Sequence, residues 1–248
     1  MDTVTVSTNR EPLLVLLHGL GANSKVWDGL ADLLPGHWPG EWLAHDLPGH
    51  GFSGPLHRYS FGGLAAEVAE DLPPGRPLIV LGHSLGGAVG LALASGWFGV
   101  QVTAVCGLGI KVRWTADELA KAAELATRPN RVFATREEAA DRALRVAGLT
   151  GLIASDAPLV DHAIHQVEGG WRLALDPAAF AVGAPDMPGL LSACRARVIL
   201  AAGENDPMSP QAHLRDLRPD SVALPALGHN AHVEDPAALL PILDELHG

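Results

Sequence analysis

Cysteine is scarce in this 248-residue chain, which contains only Cys106 and Cys194. Neither belongs to a CxxC pair or to a spacing typical of metal sites, so the sequence implies no disulfide framework and no structural zinc site. Each lies among apolar or small residues, and we predict that both are buried packing thiols.

Positive charge is also limited, because 17 Lys and Arg residues stand against 28 Asp and Glu residues and the formal net charge is −11. The basic residues form no run that could neutralise a row of phosphates. Nucleic acid is therefore not an expected partner.

Long apolar runs are absent from the first part of the chain. The run Leu13 to Leu17 is far too short to span a bilayer, and residues 1–12 lack the cationic start and apolar stretch of a secretory signal. We therefore expect no membrane partner and a cytoplasmic location.

The abundant feature is a set of short, continuous apolar runs in a chain that is 48% hydrophobic and 18% charged. Such runs are typical of buried parallel strands, and helical segments lie between them, which predicts an α/β fold. We expect a mostly parallel wound sheet of about seven to eight strands flanked by helices. The strand candidates are Leu13–Leu17, Trp42–Ala44, Leu78–Leu81, Val102–Cys106, Val198–Ala201 and Val222–Leu224. The helix candidates are Trp27–Leu34, Leu64–Leu72 and Gly87–Ala94.

The alternation of strand and helix stops between residues 111 and 195. Here the sequence offers helix starts without strands: Thr115 and Thr135 each precede a Glu at the capping-box spacing, and Asp176 precedes Pro177. We predict a core domain of residues 1–110 and 196–248, interrupted by a helical insertion of residues 111–195.

A nucleophile motif follows the third strand candidate. Gly82-His83-Ser84-Leu85-Gly86 fits G-x-S-x-G, in which a serine on a strained turn between strand and helix exposes its hydroxyl above the sheet. The pattern alone is weak, but the apolar run before it and the small-residue helix candidate after it are the required flanks. Ser84 is the predicted nucleophile.

A serine nucleophile needs a base, and the base needs an acid that fixes its tautomer. His229 follows the last strand candidate and is the predicted base, with His232 as the competitor three residues later. Asp206 and Glu204 both follow the strand candidate before it, so the residues alone leave two acids open. A zinc site at His229 and His232 lacks a third ligand at any known spacing.

The developing oxyanion of an acyl-transfer reaction needs two backbone N–H donors. Leu85, directly after the serine, is one candidate, and Leu20 in the glycine-rich segment after the first strand is the other. His18 in that segment is more typical of a structural loop residue than of a second base.

Together these residues resemble the α/β-hydrolase superfamily, in particular its small lid-bearing esterases, carbon–carbon hydrolases and related lyases. The resemblance favours Asp206 as the acid and implies that the insertion is a cap that shapes substrate choice. The matching segments are Leu17–Gly21, Asp46–Ser53, Gly82–Gly87, Gly203–Asp206 and Gly228–Pro236.

Within the second of these segments, residues 49–54 spell G-x-G-x-x-G. We do not expect a dinucleotide site there, because Pro48 and Pro55 bracket the pattern and no clean helix follows to face a pyrophosphate. The resemblance makes this segment a structural turn near the rim of the site.

The sequence thus predicts a serine hydrolase that cleaves a small carboxylic ester or thioester without a cofactor or metal. Carbon–carbon bond hydrolysis or proton-abstracting elimination with the same residues is the alternative, and a ligand-binding sensor with little turnover is a remote one. Trp114 and Trp171 are candidate substrate contacts in the cap, as are Phe133 and Phe180, although any of them could instead seal its core. These residues imply no particular oligomeric state.

Overall fold

A computed structural model describes residues 11–248 of the chain. The prediction about the opening segment falls mainly on residues 1–10, which lie outside the described residues. The strands are β1 (Leu13–Leu17), β2 (Trp42–His45), β3 (Pro77–His83), β4 (Gln101–Leu108), β5 (Ile164–Val167), β6 (Gly170–Leu173), β7 (Arg197–Gly203) and β8 (Val222–Leu224). The α-helices are α1 (Asp28–Ala31), α2 (Phe61–Glu70), α3 (Leu85–Leu93), α4 (Ala116–Ala126), α5 (Arg136–Val146), α6 (Pro158–Ala163), α7 (Met187–Ala193), α8 (Gln211–Leu217), α9 (Ala231–Glu234) and α10 (Leu240–His247).

The main sheet is parallel and has the strand order β2-β1-β3-β4-β7-β8. Each of its strands contains one of the apolar runs predicted from the sequence, so the mostly parallel α/β fold is confirmed. Within residues 11–248 the sheet has six strands, so the expected seven to eight was slightly too high.

The strand order reverses between β1 and β3, and this reversal positions the candidate site. The chain passes from β1 to the neighbouring edge at β2 and then returns to the other side of β1 at β3. In open α/β sheets a crevice opens at such a point, beyond the carboxyl ends of the strands. Leu17 pairs with Gly82 there, so the loop after β1 and the start of α3 lie side by side.

Helix α3 is buried along its whole length, and its small residues make this possible. A Cβ added to Gly90 would lie 2.9 Å from the Val80 side chain, so the helix packs directly on the sheet. Cys106 of β4 is fully buried, and burial raises the pKa of its thiol, which confirms its assignment as a packing residue. Cys194 is only half-buried, so the prediction that both thiols are buried was wrong for this residue.

The two longest helices of the insertion between β4 and β7, α4 and α5, begin at the residues predicted from the sequence. Thr115 and Thr135 form capping boxes with Glu118 and Glu138, and each N-cap contributes about 1 kcal/mol to helix stability. The expectation that this region lacks strands was wrong, because β5 and β6 form an antiparallel hairpin around Gly169. The domain boundaries stay a prediction.

Hydrogen bonds between residues far apart in the sequence connect the insertion to the core. Asn23 Nδ2 donates to Leu159 O over 3.1 Å, and Tyr59 Oη donates to Asp176 Oδ2 over 2.8 Å. Gly51 N–H also donates to the carbonyl of Ala174 over 2.9 Å. The insertion therefore packs on the loops that surround the crevice. None of the helices in the described part of the chain is both long and apolar enough to cross a membrane.

Candidate active site

Ser84 lies at the junction of β3 and α3 in a backbone conformation that side chains rarely adopt, with φ 49° and ψ −111°. Such a conformation costs about 1 to 3 kcal/mol and persists only where the surroundings impose it. Here the Ser84 N–H donates to Leu108 O over 2.7 Å, which holds the turn against β4. The strained turn predicted from the G-x-S-x-G motif is present.

The two motif glycines are sterically required. A Cβ on Gly82 would lie 2.3 Å from the carbonyl oxygen of Gly86, and a Cβ on Gly86 would lie 2.4 Å from that of Leu17. Backbone atoms cannot move aside as a flexible side chain would. The turn therefore closes only with glycine at both positions.

The structure brings Asp206 and His229 together. Asp206 Oδ2 lies 2.9 Å from His229 Nδ1, and the Asp206 side chain is fully buried. Its other oxygen accepts hydrogen bonds from the backbone N–H groups of Met208 and Ser209 at 2.8 and 3.1 Å. Because a carboxylate accepts, His229 carries its proton on Nδ1, which leaves Nε2 with a free lone pair.

The competing residues lie in other surroundings. Glu204 is exposed and accepts a hydrogen bond from the N–H of Ala226, a residue with φ 62° in the turn after β8. His232 is buried between the rings of Trp27 and His83, at centroid distances of 4.5 and 4.3 Å. In the described part of the chain, Glu204 therefore makes no hydrogen bond to a histidine, as the acid would, and His232 makes none to a carboxylate, as the base would.

His83 connects the serine turn to the His229 loop. Its ring centroid lies 4.7 Å from that of His229, and its Nε2–H donates to the His229 carbonyl over 2.9 Å. The hydrogen bonds within residues 11–248 include none between Ser84 and His229. In free enzymes such bonds are often long and tighten only when substrate binds.

Two backbone N–H groups near Ser84 make no hydrogen bond within the described residues. The N–H groups of Leu20 and Leu85 meet no acceptor within residues 11–248, whereas that of Gly86 donates to His18 O over 3.1 Å. Leu85 is also the first residue of α3, where the helix dipole favours negative charge. A Cβ on Gly19 would lie 3.4 Å from the Ser84 Cβ, so the loop that carries Leu20 lies against the serine.

Residues 14–242 match the model of the alpha/beta hydrolase family, which is 229 of the 248 residues. The chain belongs to this family. The pimeloyl-[acyl-carrier protein] methyl ester esterase of Klebsiella pneumoniae is 42% identical over 81 residues, which are 33% of this chain and 30% of that protein. The enzyme of the same name from Neisseria meningitidis serogroup A is 40% identical over 103 residues, 42% of this chain and 31% of its own. The chain thus spans about a third of the length of the curated relatives that it matches.

Solved structures of other proteins have the same fold as this alpha/beta hydrolase. An E-2-(acetamidomethylene)succinate hydrolase superposes with a TM-score of 0.77 at 23% identity and covers 95% of this chain and 91% of its own. An esterase of Mycobacterium tuberculosis superposes with a TM-score of 0.72 at 24% identity and covers 96% of this chain and 86% of its own. At these identities the likeness shows the fold alone.

His18 is a structural residue of the loop that carries Leu20. Its Nδ1–H donates to Gly19 O over 2.8 Å, and its Nε2 accepts from the N–H of Leu47 over 2.9 Å. Both ring nitrogens are thus used in the neutral form, and burial lowers the pKa of His18 to about 3. The hydrogen bonds agree with the structural role expected from the sequence.

Four buried histidines lie near the site, a feature that sequence reasoning missed. Besides His18, they are His50, His83 and His232, each no more than 3% exposed. Burial lowers the pKa of His50 to about 4, that of His232 to about 3 and that of His83 well below its usual value. One of these neutral imidazoles, that of His83, packs directly on the His229 ring.

Residues 49–54 form a tight turn, as the resemblance implied. Asp46 accepts hydrogen bonds from the N–H groups of Ser24 and Phe52 at 2.7 and 3.0 Å, and a Cβ on Gly51 would lie 2.3 Å from Asp46 Oδ2. The next helix, α2, starts only at residue 61. Across residues 11–248 no group of three His, Cys, Asp or Glu side chains is placed to hold a metal ion.

A cleft of about 550 Å³ lies within the insertion, and Phe133 and Phe180 are among its lining residues. Trp114 and Trp171 do not line it. The indole of Trp114 donates to Lys111 O over 2.9 Å, and Trp171 pairs through its backbone with Phe133. Substrate contact by the two tryptophans stays a prediction.

Proposed function

We propose that this alpha/beta hydrolase is a serine hydrolase that cleaves a small carboxylic ester or thioester through an acyl-enzyme on Ser84. The observation that carries the proposal has two parts: Ser84 is strained and half-buried, and its chain neighbour His83 packs at 4.7 Å on the ring of His229, whose Nδ1–H is bound to a buried carboxylate. The partial matches to methyl ester esterases support ester chemistry.

In the proposed first step, the Ser84 hydroxyl oxygen forms a bond to the substrate carbonyl carbon while its proton passes to His229 Nε2. The Asp206 carboxylate stabilises the imidazolium and keeps its orientation. The N–H groups of Leu20 and Leu85 donate to the oxyanion, and each such donor stabilises a transition state by about 3 kcal/mol. When the intermediate collapses, the alkoxide or thiolate leaves and takes the proton from His229.

In the second step, water loses a proton to His229 Nε2 and attacks the acyl-enzyme carbonyl. The tetrahedral intermediate then releases the carboxylic acid, and the proton returns from His229 to Ser84. Two acyl transfers thus regenerate the starting enzyme, and no redox partner is needed.

The test is turnover of a panel of short p-nitrophenyl esters and acyl thioesters, together with labelling by a serine-directed phosphonate. We expect turnover of esters and a single adduct, located at Ser84 by peptide mass spectrometry. An unlabelled, inactive protein would contradict the proposal. Turnover of a vinylogous diketone that far exceeds ester turnover would instead favour carbon–carbon bond hydrolysis.

The role of Asp206 gives a separate prediction. Asp206→Asn should lower kcat by about 10²- to 10⁴-fold, because an amide neither holds the Nδ1–H tautomer nor stabilises the imidazolium. Steady-state kinetics on the best ester of the panel measure the effect. Glu204→Gln is the matched control and should change kcat by less than about threefold, since Glu204 caps an exposed turn. A larger loss in Glu204→Gln than in Asp206→Asn would reverse the assignment.

A further inference from the structure

The cleft in the insertion gathers positive charge in a chain whose net charge is −11. Arg128, Arg131, Arg142 and Arg145 all line it, against two acidic residues. Arg128 pairs with Glu124, but no ion pair within residues 11–248 engages the other three. Unpaired guanidinium groups around a concave surface are suited to carboxylate or phosphate oxygens.

Apart from Asn130, the rest of the cleft is apolar. Its other walls are the side chains of Leu125, Phe133, Val146, Leu173, Leu175 and Phe180. The guanidinium of Arg131 stacks on the ring of Phe133 at 4.8 Å, so charge and apolar surface meet directly. A ligand that matches this lining has an anionic end on an apolar chain.

One wall of the cleft contacts the loop that carries Leu20. Neither Ser84 nor His229 lines it, but Val146 does, and a Cβ on Gly21 would lie 2.5 Å from the Val146 side chain. Gly21 directly follows Leu20, one of the two N–H groups proposed for the oxyanion. On the other wall, Leu175 pairs with His50 at the rim of the core.

Arg142 and Arg145 precede Val146 on the same helix, α5. At about 1.5 Å per residue, Arg142 lies about 6 Å along the helix axis from Val146. That is the length of a chain of several carbon atoms. The C-terminal end of α5 also meets the His229 loop, because Asn230 Nδ2 donates to Gly148 O over 3.0 Å.

We infer that this cleft binds a negatively charged group of the substrate, a carboxylate or a phosphate, separated by an apolar chain from the carbonyl that Ser84 attacks. The inference rests on the proposed function and narrows it to esters or thioesters of amphipathic anions. Arg142 and Arg145 determine this specificity, and Phe133, Phe180 and Val146 hold the chain.

The first experiment compares two p-nitrophenyl esters of equal chain length, the neutral hexanoate and the mono-adipate, which carries a terminal carboxylate. The second compares hexanoyl thioesters of pantetheine and of phosphopantetheine, which differ only in a phosphate on the leaving group. We expect the wild-type kcat/KM to be at least tenfold higher for the anionic member of one pair. Preference in the first pair identifies a carboxylate on the acyl chain, and preference in the second identifies a phosphate on the leaving group.

The arginine variants test whether the cleft causes the preference. The Arg142→Gln/Arg145→Gln double variant should lose at least five times more kcat/KM on the preferred anionic substrate than on its neutral partner, mainly through KM. Arg215→Gln removes one positive charge at an exposed position on α8 and should leave kcat/KM unchanged on both the anionic and the neutral substrate. Should the double variant unfold, Arg145→Glu at the exposed end of α5 tests the same ratio.

Equal kcat/KM values within both pairs, or equal losses on charged and neutral substrates in the arginine variants, would overturn the inference. The proposed function is tested separately by the neutral hexanoate ester. If Ser84→Ala abolishes turnover of that ester while the wild type shows no preference for anions, the serine mechanism stands and the anion site does not.

Discussion

Ser84→Ala is expected to lower kcat by about 10⁴- to 10⁶-fold on every ester or thioester that the wild-type protein hydrolyses. In the proposed mechanism, no covalent intermediate forms without the hydroxyl, and only substrate binding and the proposed oxyanion donors remain to accelerate direct attack by water. The fold should persist, because alanine keeps the Cβ that the φ of 49° already accommodates and the Ser84 N–H still donates to Leu108 O.

The measurement is single-substrate kinetics at high enzyme concentration, with circular dichroism and thermal melting to verify the fold. Ser95→Ala is the matched control, since Ser95 is a buried serine just beyond the far end of α3 whose hydroxyl bonds to Ala92 O. It should retain activity within about threefold. A Ser84→Ala protein that keeps more than a hundredth of the wild-type kcat would exclude Ser84 as the nucleophile.

The second large effect is loss of stability in mild acid. His18, His50, His83 and His232 are neutral in the folded protein because burial lowers the pKa of each imidazole. In the unfolded chain their pKa returns to about 6.5, so below that pH the unfolded state binds more protons than the folded state. Stability is therefore unaffected by these groups above pH 7 and falls as the pH drops from 6.5 towards 4.

Each such histidine lowers the free energy of unfolding by up to about 1.4 kcal/mol per pH unit in this window, or about 2 kcal/mol at pH 5. Four of them together approach the total stability of an ordinary domain, which is about 5 to 15 kcal/mol. We expect the urea midpoint to decrease steeply between pH 6.5 and pH 5. A midpoint that stays constant over this range would contradict the neutral, buried state of the four histidines.

One variant isolates the titration of a single ring. His232 is 1% exposed, and neither ring nitrogen has a partner within residues 11–248, so His232→Phe removes a titrating group that makes no hydrogen bond there. The difference in unfolding free energy between pH 8 and pH 5 should shrink by about 2 kcal/mol. His232→Leu serves if the phenyl ring overpacks, and His57→Gln, at an exposed histidine, should leave the difference unchanged. An unchanged difference in His232→Phe and His232→Leu would show that this ring is not held neutral by burial.

The parallel core could be predicted because both faces of its strands are covered. Runs such as Leu13–Leu17 are apolar throughout, and β1 and β8 occur at the residues expected. The hairpin was missed because Gln166 and Arg172 interrupt its apolar residues, although Gly169-Gly170 between two short alternating segments is a turn signal that could have indicated it. The helix expected over residues 27–34 divides into short turns, which end at Gly36 after Pro35.

The local part of the site could be predicted because G-x-S-x-G describes one tight turn and its steric needs. The burial of His50 and His232 could not be predicted, because an imidazole is held neutral by the tertiary packing of segments far apart in the sequence. The same is true of the arginine cleft. Its charges come from α5 and the loop before it, but its position beside Leu20 depends on how Val146 packs on Gly21.

The contacts of α5 have a consequence for exchanging parts between relatives. One end of this helix packs on Gly21 through Val146, and two residues later the backbone of Gly148 accepts the side chain of Asn230. The segment expected to select the substrate therefore also supports the loops that carry Leu20 and His229. A chimera that carries the insertion of a relative therefore also needs that relative's residues at the positions of Gly21 and Asn230. Without them, we expect the sheet to fold but the site loops to be displaced.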